Sequence, residues 1–226
     1  MDSDPVQPLY LKDCALIAMA TGKRAQNLRE LRDHLRVIPS NSIYYHFWGG
    51  LLRPRFDDPE YHNDFAIWAA HSIHNKSLAE RLAVIDPVAF RSLEDLRLEL
   101  LDVIEESLDE TEFPIWARRD DQFEFIQHQI VVFDTGKSVK KPSELADVLR
   151  QLNMGSIFFH FIDARRRNEN AVDDFRNWLR QFGTQYQDMC ESILAIDPYF
   201  STLSNLKEVL VNSILAHLQG DTKPDA

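Results

Sequence analysis

A histidine, a small residue and an arginine stand at positions 46, 50 and 53, and the same types recur at 160, 164 and 167. On a helix the spacing i, i+4, i+7 places His46, Gly50 and Arg53 on one stripe, and His160, Ala164 and Arg167 on another. The small middle residue leaves room above the helix, and Asp64 and Asp174 follow on the next predicted helix. Such a set could build two small anion pockets, with the guanidinium as a bidentate fork and the imidazole as a donor that switches with pH. The same residues could instead pair arginine with aspartate and lock two helices together, with each histidine filling a core position. Arg53-Pro54-Arg55 and Arg165-Arg166-Arg167 are the dense basic runs of the chain. They make Arg55 and Arg165 further candidates for contact with a phosphate or an acidic peptide. Asp57, Asp58 and Asp163 lie close enough in sequence to neutralise them.

Other chemistries find less to work with. His62, His71 and His74 cluster around one predicted helix, and His71 and His74 at i, i+3 could face an ion together with Asp64. At an offset of 110 the counterparts of His71 and His74 are Gln181 and Thr184, and no H-E-x-x-H occurs, so no metal site is expected. There is no G-x-S-x-G, and Cys14 and Cys190 sit in apolar or helical surroundings where a raised thiol pKa is the default. Neither G-x-G-x-x-G nor G-x-x-x-x-G-K-[ST] is present, so dinucleotide and P-loop chemistry lack their loops. No catalytic residue and no cofactor is assigned. The nine acids between Glu94 and Glu112 read as the solvated side of the helix carrying Leu96, Leu100 and Ile104.

The elements that must position these residues follow from composition and pattern. The chain has 226 residues, 44% hydrophobic and 11% aromatic, which is enough apolar material for a core and excludes wholesale disorder. Its 36 acidic against 25 basic side chains give a net charge of −11, a surface that repels phosphate backbones. No nucleic-acid partner is expected. Residues 1–7 do not resemble a leader peptide, and the apolar run 14–20 is far shorter than the roughly 20 residues that span a bilayer. With two distant cysteines, the expectation is a cytoplasmic protein with no membrane partner.

The chain repeats itself. Aligned at an offset of 114, residues 21–47 and 135–161 are identical at 12 of 27 positions, from Thr-Gly-Lys through Glu-Leu to Ser-Ile-x-x-His-Phe. Asn63-Asp64-Phe65 and Trp68 then match Asp173-Asp174-Phe175 and Trp178 at an offset of 110, and Ile85-Asp86-Pro87 matches Ile196-Asp197-Pro198. The apolar run Ile130-Val131-Val132-Phe133 predicts a strand that turns at Asp134-Thr135-Gly136-Lys137. Helices are predicted over 28–36 and 143–152, after N-caps Asn63 and Asp173, and after each Asp-Pro; the histidine segment reads as a helix capped by Ser40 or Ser42, although its aromatics would also suit a strand. The fold class is mostly α (α+β): two tandem homologous helical repeats, each with a small β-hairpin, related by a pseudo-twofold. Residues 8–108 form the first repeat, 109–121 a linker, 122–218 the second repeat, and 219–226 a frayed tail.

The order Thr-Gly-Lys, Glu-Leu, Tyr-Tyr-His-Phe, Asn-Asp-Phe-x-x-Trp, followed by Phe-Phe-His-Phe and Asp-Asp-Phe-x-x-Trp, resembles an uncharacterised bacterial and archaeal domain-of-unknown-function family. The resemblance implies no reaction and no cofactor. The residues themselves favour a non-catalytic module that binds a protein partner, with anchors at His46, Arg53, Arg55, His160, Arg165 and Arg167. A binding protein or enzyme for a small phosphorylated or carboxylated metabolite, using the paired His/Arg pockets, is the alternative. The oligomeric state is not legible.

Overall fold

Two strands of 17 residues, β1 (Leu9–Ala25) and β2 (Phe123–Val139), pair into one two-stranded antiparallel sheet. This corrects the expected hairpin in each copy. The chain does not turn at Thr-Gly-Lys; each strand runs straight through it. Gly22 and Gly136 take φ values of +75° and +66°, the left-handed region that favours glycine. Beside them Thr21 Oγ1 accepts from Lys23 N–H at 3.2 Å and donates to the Phe125 carbonyl at 2.7 Å. Thr135 Oγ1 likewise accepts from Lys137 N–H at 3.2 Å and donates to the Leu11 carbonyl at 2.5 Å. A threonine that bonds both its own backbone and the facing strand keeps the strand going where a free Gly-Lys pair would turn.

The computed structural model describes residues 6–52, 60–110, 113, 115–168, 170–199 and 202–220. The tail beyond 220 lies outside them. The rest of the described chain is mostly helical: α1 (Leu28–Leu35), α2 (Ser40–Trp48), α3 (Asp64–His71), α4 (Lys76–Ala83), α5 (Leu93–Asp109), α6 (Leu145–Arg150), α7 (Met154–Ile157), α8 (Ala164–Arg167), α9 (Asp174–Leu179), α10 (Gln187–Leu194) and α11 (Leu203–Gly220). Between α7 and α8 the six residues Phe158–Asp163 form a π-helical stretch. Among the described residues no helix is long and apolar enough to cross a membrane.

The chain divides into two compact units, Leu16–Ile130 and Met1–Ala15 with Val131–Ala226. The division falls inside both strands, so residues 16–25 and 123–130 belong to the first unit, and 9–15 and 131–139 to the second.

In the first unit Leu31, Leu35, Ile43, Phe65, Leu100 and Ile104 are fully buried. Asn27 caps α1 by accepting from Glu30 N–H at 3.0 Å, while the Glu30 carboxylate accepts the Gln26 N–H, just before the cap, at 2.8 Å. The far end of α1 is closed from outside: the buried Arg97 donates to the Leu35 carbonyl and, at 2.8 Å, to that of Ile38. Helix α2 has Pro39 at its cap position with no side-chain bond, which corrects the expected Ser40 or Ser42 cap. Ser42 Oγ instead donates to the Ile126 carbonyl at 2.8 Å, tying the helix to β2.

In the second unit Leu11, Leu145, Phe158, Phe161, Phe175 and Ile214 are buried. Lys207 donates to the Leu152 carbonyl at 2.7 Å and closes the chain after α6. Asx turns at Asp86 and Asp197, each accepting from the N–H two residues on, begin the approach to α5 and α11.

Candidate functional site

Helix α2 carries His46 into the first unit's interior, where the residue is 3% exposed. Its Nδ1 lies 2.8 Å from Asp64 Oδ2, and its Nε2 accepts the Ile126 main-chain N–H at 3.1 Å. An Nε2 that accepts must be unprotonated, so this network assigns the neutral tautomer with the proton on Nδ1. Phe65 and Phe123 pack against the ring, with centroids 5.3 and 4.7 Å away. Asp64 is placed by Asn63, which caps α3 by accepting from Ala66 N–H at 2.8 Å and donates to the Leu82 carbonyl at 3.0 Å. Trp68, one turn on, donates to the Asp121 carbonyl at 2.8 Å. A cavity of about 260 Å³ adjoins the pair, lined in part by His46, Asp64, Trp68, His71 and Asp121. His62 is half-buried and His71 and His74 are exposed. Among the described residues no three His, Cys, Asp or Glu side chains are grouped to hold a metal ion.

The second unit holds the same pattern with a fuller set of partners. His160 lies 2.8 Å from Asp174 Oδ2 through Nδ1, and its Nε2 accepts the Lys12 main-chain N–H at 2.8 Å. Trp178 donates to the Gln7 carbonyl at 2.9 Å. Asp174 also accepts from Arg167 and from Asn168, each at 3.1 Å. Burial pushes the Asp174 carboxyl up, but the His160 and Asn168 hydrogen bonds and the Arg167 charge outweigh it and hold the group below the usual carboxylate range. Arg167 further donates to Asp163 Oδ2 at 2.8 Å and to the Phe159 carbonyl at 2.9 Å, and lies 3.9 Å over the Phe159 ring. Asp163, 1% exposed, also accepts from Arg166 at 3.0 Å. Arg165 stacks 4.6 Å over Phe161.

The structure therefore brings His46 to Asp64, and His160 to Arg167 and Asp174. Arg53 and Arg55 lie outside the described residues. Each histidine has both ring nitrogens engaged inside its unit, so neither presents an open nitrogen to a ligand or a proton acceptor. Arg167 clamps the π-helical stretch to α9. Cys14 is no nucleophile either. Burial, then Asp163 and Asp13, push its thiol up to about 12, and its Sγ donates to the Gly155 carbonyl at 3.3 Å.

The second unit also holds a larger cavity that motif reasoning missed. Its volume is about 480 Å³, and its lining includes Arg176, Arg180, Tyr186, Cys190, Glu191 and Leu194. Arg176 is 3% exposed, and its Nε donates to Asp173, which is itself fully buried and also accepts the Arg176 N–H at 2.9 Å. One signal was readable. At the offset of 110, Asp173 and Arg176 stand where the first copy has Asn63 and Ala66, so two positions three residues apart differ between the copies as an acid and a base. The Asn-to-Asp change noted in the motif is thus one half of an ion pair.

A family model described as "Family of unknown function (DUF5752)" matches residues 6–215. No curated protein matches the chain. The solved structure of OrfY from Thermoproteus tenax is similar to it with a TM-score of 0.81 and 28% sequence identity, over 96% of this chain and 98% of that one.

Proposed function

The chain belongs to the DUF5752 family, whose function is unknown, and from its own residues we propose that it is a non-catalytic protein-interaction or regulatory module built from a tandem repeat. The repeat is supported by contacts that recur at the sequence offsets. Lys12 to His160 and Ile126 to His46, Thr135 to Leu11 and Thr21 to Phe125, and Trp178 to Gln7 and Trp68 to Asp121 are matched pairs. Each pair joins a helix or strand residue of one sequence copy to the strand, or the residues just before it, of the other. Duplication with exchange of the strands explains that reciprocity.

The observation that carries an interaction role is the segment before β2, where Phe113 is 76%, Ile115 45% and Trp116 58% exposed. Three large apolar side chains within four residues are unusual on a surface this charged, and tryptophan is the residue type most enriched at interface centres. Arg118 and Arg119 follow at once, so an apolar anchor is flanked by positive charge on an acidic chain. A protein partner with an apolar pocket and an acidic rim fits this segment. The alternative, a phosphorylated or carboxylated metabolite held by paired His/Arg pockets, has less support because His46, His160 and Arg167 are engaged internally.

Affinity capture with the full chain tests the reading. A stoichiometric protein that the wild type retains, and that Trp116→Ala loses without a change in thermal midpoint, is the expected result. Equal retention by the wild type and Trp116→Ala would remove this segment as the anchor, and no retained protein at all would remove the interaction role.

A further inference from the structure

We propose that the cavity between α9 and α10 of the second unit is a binding site for a small monocarboxylate with an apolar body, held by the Arg176 guanidinium with Arg180 as a second contact. This goes beyond the partner role and does not depend on it.

A guanidinium carries five N–H groups. In Arg176 the Nε–H goes to Asp173, and the Nη groups have no partner among the described residues. These Nη atoms are not sealed from solvent, and Arg176, 97% withdrawn overall, lines a cavity of about 480 Å³, so its open donors face that space. That volume lies in the range of small-molecule sites. Arg180, at i+4 on the same face, lines the cavity too.

Charge and lining choose the ligand class. Asp173 and Glu191 balance Arg176 and Arg180, so the site is neutral before anything binds. A carboxylate adds a single negative charge, whereas a phosphate monoester would bring nearly two into a neutral, partly desolvated site. A planar carboxylate also matches the planar Arg fork. Tyr186, Cys190 and Leu194 give an apolar wall for the rest of the molecule.

The first copy shows what the same helix looks like without this function. Asn63 and Ala66 replace the ion pair there, and Ala66 is fully buried. That pair supplies both a working cap and a ready-made control: Asp173→Asn with Arg176→Ala rebuilds a solution the chain already uses, without the guanidinium.

The test is calorimetric titration of the full chain with benzoate, with benzamide as its neutral counterpart and inorganic phosphate as the competing anion. Benzoate is expected to bind saturably, benzamide at least tenfold more weakly, and phosphate not at all. Binding is expected to vanish in the Asp173→Asn/Arg176→Ala double variant and to weaken about tenfold in Arg180→Gln, whose exposed side chain leaves the fold unchanged. Should the double variant fail to fold, Arg176→Lys keeps a charge for Asp173 but removes the fork, and must also lose benzoate. Benzoate should slow alkylation of Cys190 in the same samples. Absence of saturable benzoate binding, undiminished binding in the folded double variant, or tighter binding of phosphate would each overturn the assignment. None of these outcomes bears on partner capture through Trp116, so the two readings fail separately.

Discussion

The main-chain N–H of Lys12 donates to His160 Nε2 at 2.8 Å across a separation of 148 residues, and the opposite nitrogen of that ring is held by Asp174 at 2.8 Å. Ile126 and His46 repeat the bond at 3.1 Å across 80 residues. Each imidazole is a bridge between a helix and a strand of its unit.

Replacing either bridge with alanine removes the acceptor of that main-chain donor and opens a cavity where a buried ring stood. His46→Ala and His160→Ala are each expected to lower unfolding free energy by about 2 kcal/mol or more, read from denaturant midpoints at constant slope. Nitrogen-detected NMR at pH 7 should show Nδ1 protonated and Nε2 bare in both rings. A loss under about 0.5 kcal/mol would remove the bridge from the account.

Acid should weaken the second unit through Asp174. Its folded pKa lies below the ordinary value of 3.8, because the hydrogen bonds and Arg167 outweigh burial. A group lowered in this way contributes stability that is complete above its unfolded pKa and is lost as pH falls through the folded one. Urea midpoints measured from pH 7 to pH 2 should therefore fall more steeply in the wild type than in Asp174→Asn, with the two curves converging at the acid end. Parallel curves would contradict the sign.

A methyl group at Gly155 has nowhere to go. An added Cβ would meet the Cys14 carbonyl oxygen and Asp13 Oδ1, both at 2.3 Å, and the carbonyl is backbone. Gly155→Ala is expected to cost about 1–3 kcal/mol through displacement of β1. Gly136→Ala, at φ +66° with open space around it, should cost about 1 kcal/mol from backbone strain alone. Thermal midpoints in the reverse order would show that β1 yields freely at Cys14.

The two thiols should label in a fixed order. Cys14 is buried with its thiol pushed up to about 12. Cys190 is also raised, by burial first, with Arg180 and Arg176 partly offsetting it, but it lines the cavity. Mass spectrometry after alkylation at pH 8 should find Cys190 modified before Cys14, with Cys14 protected until the protein unfolds. Rapid labelling of Cys14 would contradict its burial.

The Asp173–Arg176 pair should be strongly non-additive. Arg176→Ala alone leaves a buried carboxylate without its partner and is expected to cost about 3–5 kcal/mol. Adding Asp173→Asn should recover more than half of that loss in denaturant unfolding, since Asn63 and Ala66 serve the first unit in the same places. Additive losses would mean that the pair is not what holds α9 in place.

Local pattern alone was enough to read much of this protein. The helices after Asn63 and Asp173 follow from their caps, and the helix carrying His46 and the apolar faces of α5 and α11 from periodicity, signals that act within a few residues and are written directly in their order. Motif spacing also pointed to His46, Asp64, His160, Arg167 and Asp174 as interacting residues. What it could not supply was the partner at a distance. Whether Thr-Gly-Lys turns the chain or continues a strand depends on the carbonyl that Thr21 or Thr135 meets, more than 100 residues away. Whether His160 is a switch or a bridge depends on the Lys12 N–H reaching its second nitrogen. The Arg176 cavity exists because α9 and α10 pack with a buried guanidinium between them, a matter of volume and desolvation. Hydrogen bonds between residues close in sequence are encoded by spacing; those that join distant segments, and the space left between packed helices, come into being only when the chain has folded.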